Sequence, residues 1–109
     1  MITGTGIDIV KISRIKKNID KYGNKFIEKI LSEKEISRIP AAGREEFIAG
    51  RFAAKEALVK ASGIIFSFSI ITILNDENGK PFISETADDL KNKKIHLSIS
   101  HDTDYAVAS

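Results

Sequence analysis

Arg44-Glu45-Glu46-Phe47-Ile48-Ala49-Gly50-Arg51-Phe52-Ala53-Ala54-Lys55-Glu56-Ala57-Leu58-Val59-Lys60-Ala61-Ser62-Gly63 is the longest segment of the chain with unbroken helical character. It contains no proline, and Gly63 offers the left-handed stop at which helices commonly end. The pattern predicts one long helix over Arg44–Ser62. Phe47, Ala54, Leu58 and Ala61 make an apolar stripe along it. Gly50, Ala53, Ala54 and Ala57 recur at helical spacing and are small enough for another backbone to approach closely. Glu56 and Lys60 are four residues apart and therefore share a face.

Upstream, Ile2 to Val10 reads as a strand, with Ile7 and Ile9 on one face and Asp8 on the other. Gly4 and Gly6 permit close backbone contact. A helix follows, striped by Ile12, Ile15, Ile19 and Tyr22 and ended by Gly23. Lys11, Arg14, Asn18, Lys21 and Lys25 recur on a different face of it. Residues 11–25 also contain Lys16 and Lys17 but a single acid, Asp20. Such a basic face is most often plain solvated surface. Phe26, Ile27, Ile30 and Leu31 fill a short second helix, and Ser32-Glu33-Lys34-Glu35 has the form of a capping box that opens a third, closed by Pro40.

Downstream the pattern turns to strands. Phe66 to Leu74 and Pro81 to Ser84 read as strands joined by a turn through Asn78-Gly79. A small helix is predicted over residues 86–92. Ile95 to His101 alternates, with Ile95, Leu97 and Ile99 on one face, and Tyr105 to Ala108 begins a last strand. These elements predict an α+β fold, one domain over residues 1–109, with an antiparallel sheet packed on the long central helix.

A chain of 109 residues buries only about two-thirds of its unfolded surface, so association with other copies would help it. It is 42% hydrophobic and 29% charged, which excludes a disordered chain. It has no cysteine, so disulfides and thiolate metal sites are excluded, and two histidines leave oxygen donors as the main ligands for a cation. The longest apolar run, Gly63 to Leu74, is too short to span a bilayer. Asp8 and Lys11 interrupt the apolar start, so no signal peptide is expected and the location is read as cytoplasmic. A net charge of +2 does not point to nucleic acid.

Asp8 near a strand end and Glu56 on the central helix are two carboxylates from separate elements. Together they suit Mg²⁺, with water and a substrate phosphate as its other ligands. The plainer reading is that Glu56 and Lys60 form an ordinary surface pair, and spacing alone favours it. His101 lies on the face of Leu97 and Ile99, where a histidine is more often a strand-end residue than a catalyst. Ser98, Ser100 and Asp102 lie on the other face, so no catalytic triad is drawn from them. Gly4-Thr5-Gly6 is neither a dinucleotide fingerprint nor a P-loop.

Across these residues the chain resembles holo-acyl-carrier-protein synthase, the small bacterial type of 4'-phosphopantetheinyl transferase. The matching segments are Gly6-Ile7-Asp8-Ile9-Val10 with Ile12-Ser13-Arg14-Ile15, Phe47 through Ala57, Asn75 through Pro81, and Leu97 through Asp102. They occur in the family's order and cover nearly the whole chain. The resemblance implies transfer of 4'-phosphopantetheine from coenzyme A to a serine of apo-acyl carrier protein, releasing adenosine 3',5'-bisphosphate, in fatty acid biosynthesis. It implies Asp8 and Glu56 as Mg²⁺ ligands and Lys60 beside the reacting phosphate. His101 is implied near the coenzyme A phosphates, and Arg51 and Arg44 are further candidates for phosphate contacts. Arg14, Lys17 and Lys21 become a docking face for the acidic carrier protein. The family is typically a homotrimer with active sites at subunit boundaries.

The chain departs from the family pattern in two places. Gly63-Ile64-Ile65-Phe66 is a shortened form of a glycine-containing loop, and the chain stops at Ser109, where family members usually continue the last strand. The first is expected to alter a contact to coenzyme A, the second to weaken the trimer. These departures motivate an alternative, a carrier-protein-binding module without turnover. A small RNA-binding domain is a weaker alternative, because aromatic residues are sparse.

Overall fold

The computed structural model describes residues 4–102 and 104–108. Strand β1 (Asp8–Lys11) leads into helices α1 (Ile12–Tyr22), α2 (Asn24–Ile30), α3 (Glu33–Ser37) and α4 (Arg44–Ser62). A hairpin of β2 (Thr72–Asn75) and β3 (Pro81–Glu85) follows, then β4 (Ile99–His101) and β5 (Tyr105–Ala108). Both sheets are antiparallel, one in the order β1-β5-β4 and the other β2-β3. The predicted α+β class and the packing of sheet on long helix are found.

Helix α4 runs over the residues expected of it. Gly63 adopts the left-handed conformation at φ 70° and donates its N–H to Val59 O. No side chain caps the helix start at Gly43. Nine of its residues, from Ile48 to Leu58, are buried. A helix covered on most sides sits inside a fold rather than on its surface. Of the small residues, Ala57 is approached closely by backbone and Gly50 by a side chain. A Cβ on Gly6 or Gly4 would overlap the carbonyls of Ala57 or Ala61, and one on Gly50 would press on Ile99 of β4.

Helix α1 buries Ile12, Ile15 and Ile19, each a contribution of about 1.5–3 kcal/mol. Tyr22, assigned above to the same stripe, is 53% exposed. It is the last residue before the Gly23 break, where the helix has passed the core. The capping box of α3 is present in full, with Ser32 and Glu35 exchanging side chain-to-backbone bonds.

Three strand expectations need trimming. Of the residues read as the first strand, only Asp8–Val10 belong to the β1 ladder, while Ile2 lies outside the described residues. Gly4 and Gly6 pack on α4 instead. The strand expected from Phe66 starts only at Thr72, because a 3-10 turn over Phe68–Ile70 precedes it. Lys55 of α4 donates to Phe68 O, and Phe68 packs against Phe52 and Phe66, which draws the backbone out of line. Likewise only Ile99–His101 of the alternating segment pairs as β4. The small helix predicted over 86–92 is a 3-10 turn over Asp88–Leu90.

The two faces of the three-stranded sheet differ. Val10 and Ala106, paired across β1 and β5, are buried toward α4. The opposite face shows Ile7, Ile9 and Tyr105, which are 63%, 62% and 42% exposed.

Candidate active site

Strand β1 is pinned to the C-terminal half of α4 by the glycine contacts just described. This brings Asp8 to Lys60, whose Nζ donates to Asp8 Oδ1 at 2.9 Å and to Ile7 O at 3.2 Å. The Asp8 side chain is 15% exposed and that of Lys60 54%, so the pair stands at an open edge. Glu56 is half-buried one turn before Lys60, and one turn of helix is about 5.4 Å. The ordinary expectation of a Glu56–Lys60 pair is not met, since Lys60 reaches to the strand and Glu56 has no ion pair among the described residues. Asp8 and Lys60 thus meet at one edge of α4, with Glu56 one turn earlier on the same helix.

Among the described residues no cluster of three or more acidic, histidine or cysteine side chains exists. A divalent cation at this edge would therefore take Asp8 and Glu56 as protein ligands and complete its shell from phosphate and water. That donor set fits Mg²⁺, which binds through one or two carboxylates plus substrate oxygens.

Arg51 and His101 come together elsewhere, lining a cavity of about 670 Å³ beside the start of α4. Gly43, Glu46, Asn75 and Asp102 share its wall. The Arg51 guanidinium lies 4.3 Å from the centroid of the Phe47 ring and donates from Nη2 to Ile73 O at 3.2 Å and Asn75 Oδ1 at 2.8 Å. Its Nε and the Oε2 of Glu46 are buried with no hydrogen-bond partner. Burial lowers the Arg51 pKa, and the nearby Glu35 carboxylate opposes that shift. His101 is exposed at the end of β4. The turn after it is built on Asp102, whose carboxylate accepts from the N–H groups of Asp104 and Tyr105, both at 2.8 Å. Those bonds, Tyr105 first, hold the Asp102 carboxyl below the usual aspartate value. Arg44 is exposed at the first position of α4 and is not among the cavity's lining residues.

The sequence reading missed the buried charges behind this cavity. Lys55 and Glu35 are both fully buried and paired at 2.5 Å. Lys55 Nζ also donates to Ile30 O at 2.7 Å and Phe68 O at 2.8 Å, while Glu35 accepts from Ser32 N and Ile73 N. Desolvation lowers the Lys55 pKa, with Glu35 acting against it. Arg51 Nε lies 4.0 Å from the same Glu35. One carboxylate thus faces two cations. A signal was available, since Arg51 and Lys55 are four residues apart among alanines on a helix otherwise suited to burial.

Arg14, Lys17 and Lys21 are all exposed on α1, away from its isoleucine face.

A model of the 4'-phosphopantetheinyl transferase superfamily matches residues 4–109. The chain is 47% identical over 115 residues to holo-[acyl-carrier-protein] synthase of Geobacillus kaustophilus, covering 99% of this chain and 86% of that protein. Among solved structures it is similar to the Bacillus anthracis holo-(acyl-carrier-protein) synthase in complex with CoA (3',5'-ADP). That match has a TM-score of 0.85 and 43% identity and covers 99% and 93% of the two chains. The Neisseria meningitidis holo-[acyl-carrier-protein] synthase matches with a TM-score of 0.90 and 37% identity, covering 99% and 95%.

Proposed function

The chain belongs to the 4'-phosphopantetheinyl transferase superfamily, and we infer from its site how it moves 4'-phosphopantetheine from coenzyme A to a serine of apo-acyl carrier protein. The reaction releases adenosine 3',5'-bisphosphate and serves fatty acid biosynthesis. The observation that carries the residue assignment is the Lys60–Asp8 bond at an open edge, with Glu56 one turn away.

In this reaction the serine oxygen forms a bond to the phosphorus next to pantetheine. The bond from that phosphorus to the bisphosphate leaving group breaks, and the serine hydroxyl proton is released. Lys60 acts beside the reacting phosphate, where its ammonium offsets charge developing on the phosphate oxygens, while the serine proton passes to solvent water at this open edge. Its half-exposed side chain is free to turn from Asp8 toward substrate. Asp8 and Glu56 hold Mg²⁺, which when bound polarises the phosphoryl group and clamps the leaving group.

The cavity beside α4 receives the nucleotide end of coenzyme A. Several features support this. Arg51 brings a cation to its wall, and α4 begins there with no side-chain cap over its N–H groups. Glu46 offers an unpartnered acceptor for ribose or base donors. His101 stands on the same wall for a phosphate contact, and Arg44 adds positive charge near the helix start. Arg14, Lys17 and Lys21 dock the acidic carrier protein.

The exposed isoleucines on the outer sheet face support a homotrimer in which copies of the chain cover that face. Asp8 is in the same strand as Ile9 with its side chain on the opposite face, toward Lys60, so the reaction edge borders that subunit boundary. The protein acts in the cytoplasm as one transferase domain over residues 1–109. No helix among the described residues is long and apolar enough to cross a membrane.

Intact-mass analysis tests the assignment. Apo-acyl carrier protein incubated with this chain, coenzyme A and Mg²⁺ gains one phosphopantetheine group, and a chelator prevents the gain. Transfer that survives full chelation removes the metal from the assignment. No gain at all, with complex formation intact, leaves a carrier-binding module.

A further inference from the structure

We propose that Asn75 is a positioning residue that holds Arg51 toward the ribose phosphate of coenzyme A and thereby sets the preference for coenzyme A over its dephospho form. This rests on the reading that the cavity beside α4 takes the nucleotide end.

Arg51 is the cation of that cavity, and its charge is not balanced from behind. The one carboxylate within ion-pair distance of Arg51 among the described residues, Glu35, is already in contact with Lys55 at 2.5 Å, while Arg51 Nε stands 4.0 Å from it. Two cations therefore share one anion, and the excess lies on the side of Arg51. The cavity wall also has the carboxylates of Glu46 and Asp102. A phosphate binds among them only if the guanidinium is held where its attraction outweighs their repulsion.

Three contacts hold it there. Phe47 supports one face of the guanidinium, Ile73 O accepts from Nη2, and Asn75 Oδ1 accepts from the same Nη2 at the shorter distance of 2.8 Å. Of these, Asn75 supplies the one side-chain hydrogen bond to Arg51 among the described residues. Its other end matters too. Asn75 Nδ2 donates to Gly79 O at 3.3 Å, across the turn between β2 and β3. That turn is itself tied by Asp76 Oδ1, which accepts from Asn78 N and Lys80 N, both at 2.9 Å. Gly79, at φ 84°, lines the cavity as well. One amide thus joins the guanidinium to the turn, so both walls of the cavity are located by the same side chain. Asn75 is itself exposed, and no core packing depends on it.

The test is steady-state kinetics of the full chain with coenzyme A and with dephospho-coenzyme A, comparing wild type, Asn75→Ala and Asn75→Asp. Wild type has the lower KM for coenzyme A. Asn75→Ala raises the KM for coenzyme A about five- to tenfold and leaves kcat and the KM for the dephospho form within about twofold. Asn75→Asp raises it further, because a carboxylate beside Arg51 competes with the phosphate, and added salt narrows its gap from Asn75→Ala. The proposal is overturned if Asn75→Ala keeps the wild-type preference, or if it weakens both donors equally, as a merely disturbed hairpin would. If wild type itself does not distinguish the two donors, the nucleotide reading of the cavity fails and the role of Asn75 fails with it.

Discussion

Two lysines of α4, five residues apart, each meet a carboxylate, and they illustrate two uses of one contact. Lys55 is wholly buried, and each of its donors has an acceptor: Glu35, Ile30 O and Phe68 O. Lys60 is about half exposed and meets Asp8 at 2.9 Å at the rim. Burying a charge carries a large desolvation cost, so the Lys55 cluster persists only because its hydrogen bonds are complete. The Lys60 cluster has water to fall back on and can exchange its partner for a substrate or a cation. A third pair, Lys34–Glu85, has the same 2.5 Å separation as Lys55–Glu35, yet its side chains are 62% and 52% exposed. Separation alone does not rank these pairs. Burial and the number of satisfied donors do.

Substitutions should separate the three environments. Glu35→Ala has the largest effect on the fold, since it strands Lys55 and frees Ile73 N. A loss of about 3–5 kcal/mol is expected in urea unfolding, a large part of the stability of a domain this size. A loss under about 1 kcal/mol would place that cluster with the surface pairs. Asp8→Ala and Glu56→Ala come next and show the reverse profile. Transfer falls about 10²–10³-fold or more, while the unfolding free energy moves by less than about 1 kcal/mol. Full activity of both variants at limiting Mg²⁺ would remove them from the reaction. Lys34→Ala is expected to change stability by about 0.5 kcal/mol or less and activity not at all. A larger shift would mean that its short contact to Glu85 does more than its exposure allows.

Much of the fold was legible because its signals are local. Gly23, the Ser32–Glu35 box and Gly63 mark helix ends within a turn of themselves, and the isoleucine period of α1 reports its buried face. The strand limits were less legible. Phe66 to Ile71 has strand-like composition, but Lys55 holds Phe68 O from 13 residues away and bends the segment into a 3-10 turn. Of the candidate site, Asp8, Glu56 and Lys60 were legible through the family resemblance, while periodicity favoured a Glu56–Lys60 pair that the fold does not form.

The chain alone pointed to the four α-helices of the described residues and to the fold class, since capping, spacing and side-chain size act over a few residues. The tertiary structure decided which charges are buried and which remain available. Glu35 served in the sequence as a capping residue, yet it is also the counter-ion of Lys55, 20 positions away. Asn75, just ahead of the turn read at Asn78-Gly79, lies against Arg51, 24 positions away. Such pairings depend on where helices and hairpins meet in space, and the free energy of a buried charge depends on every group around it rather than on its sequence neighbours.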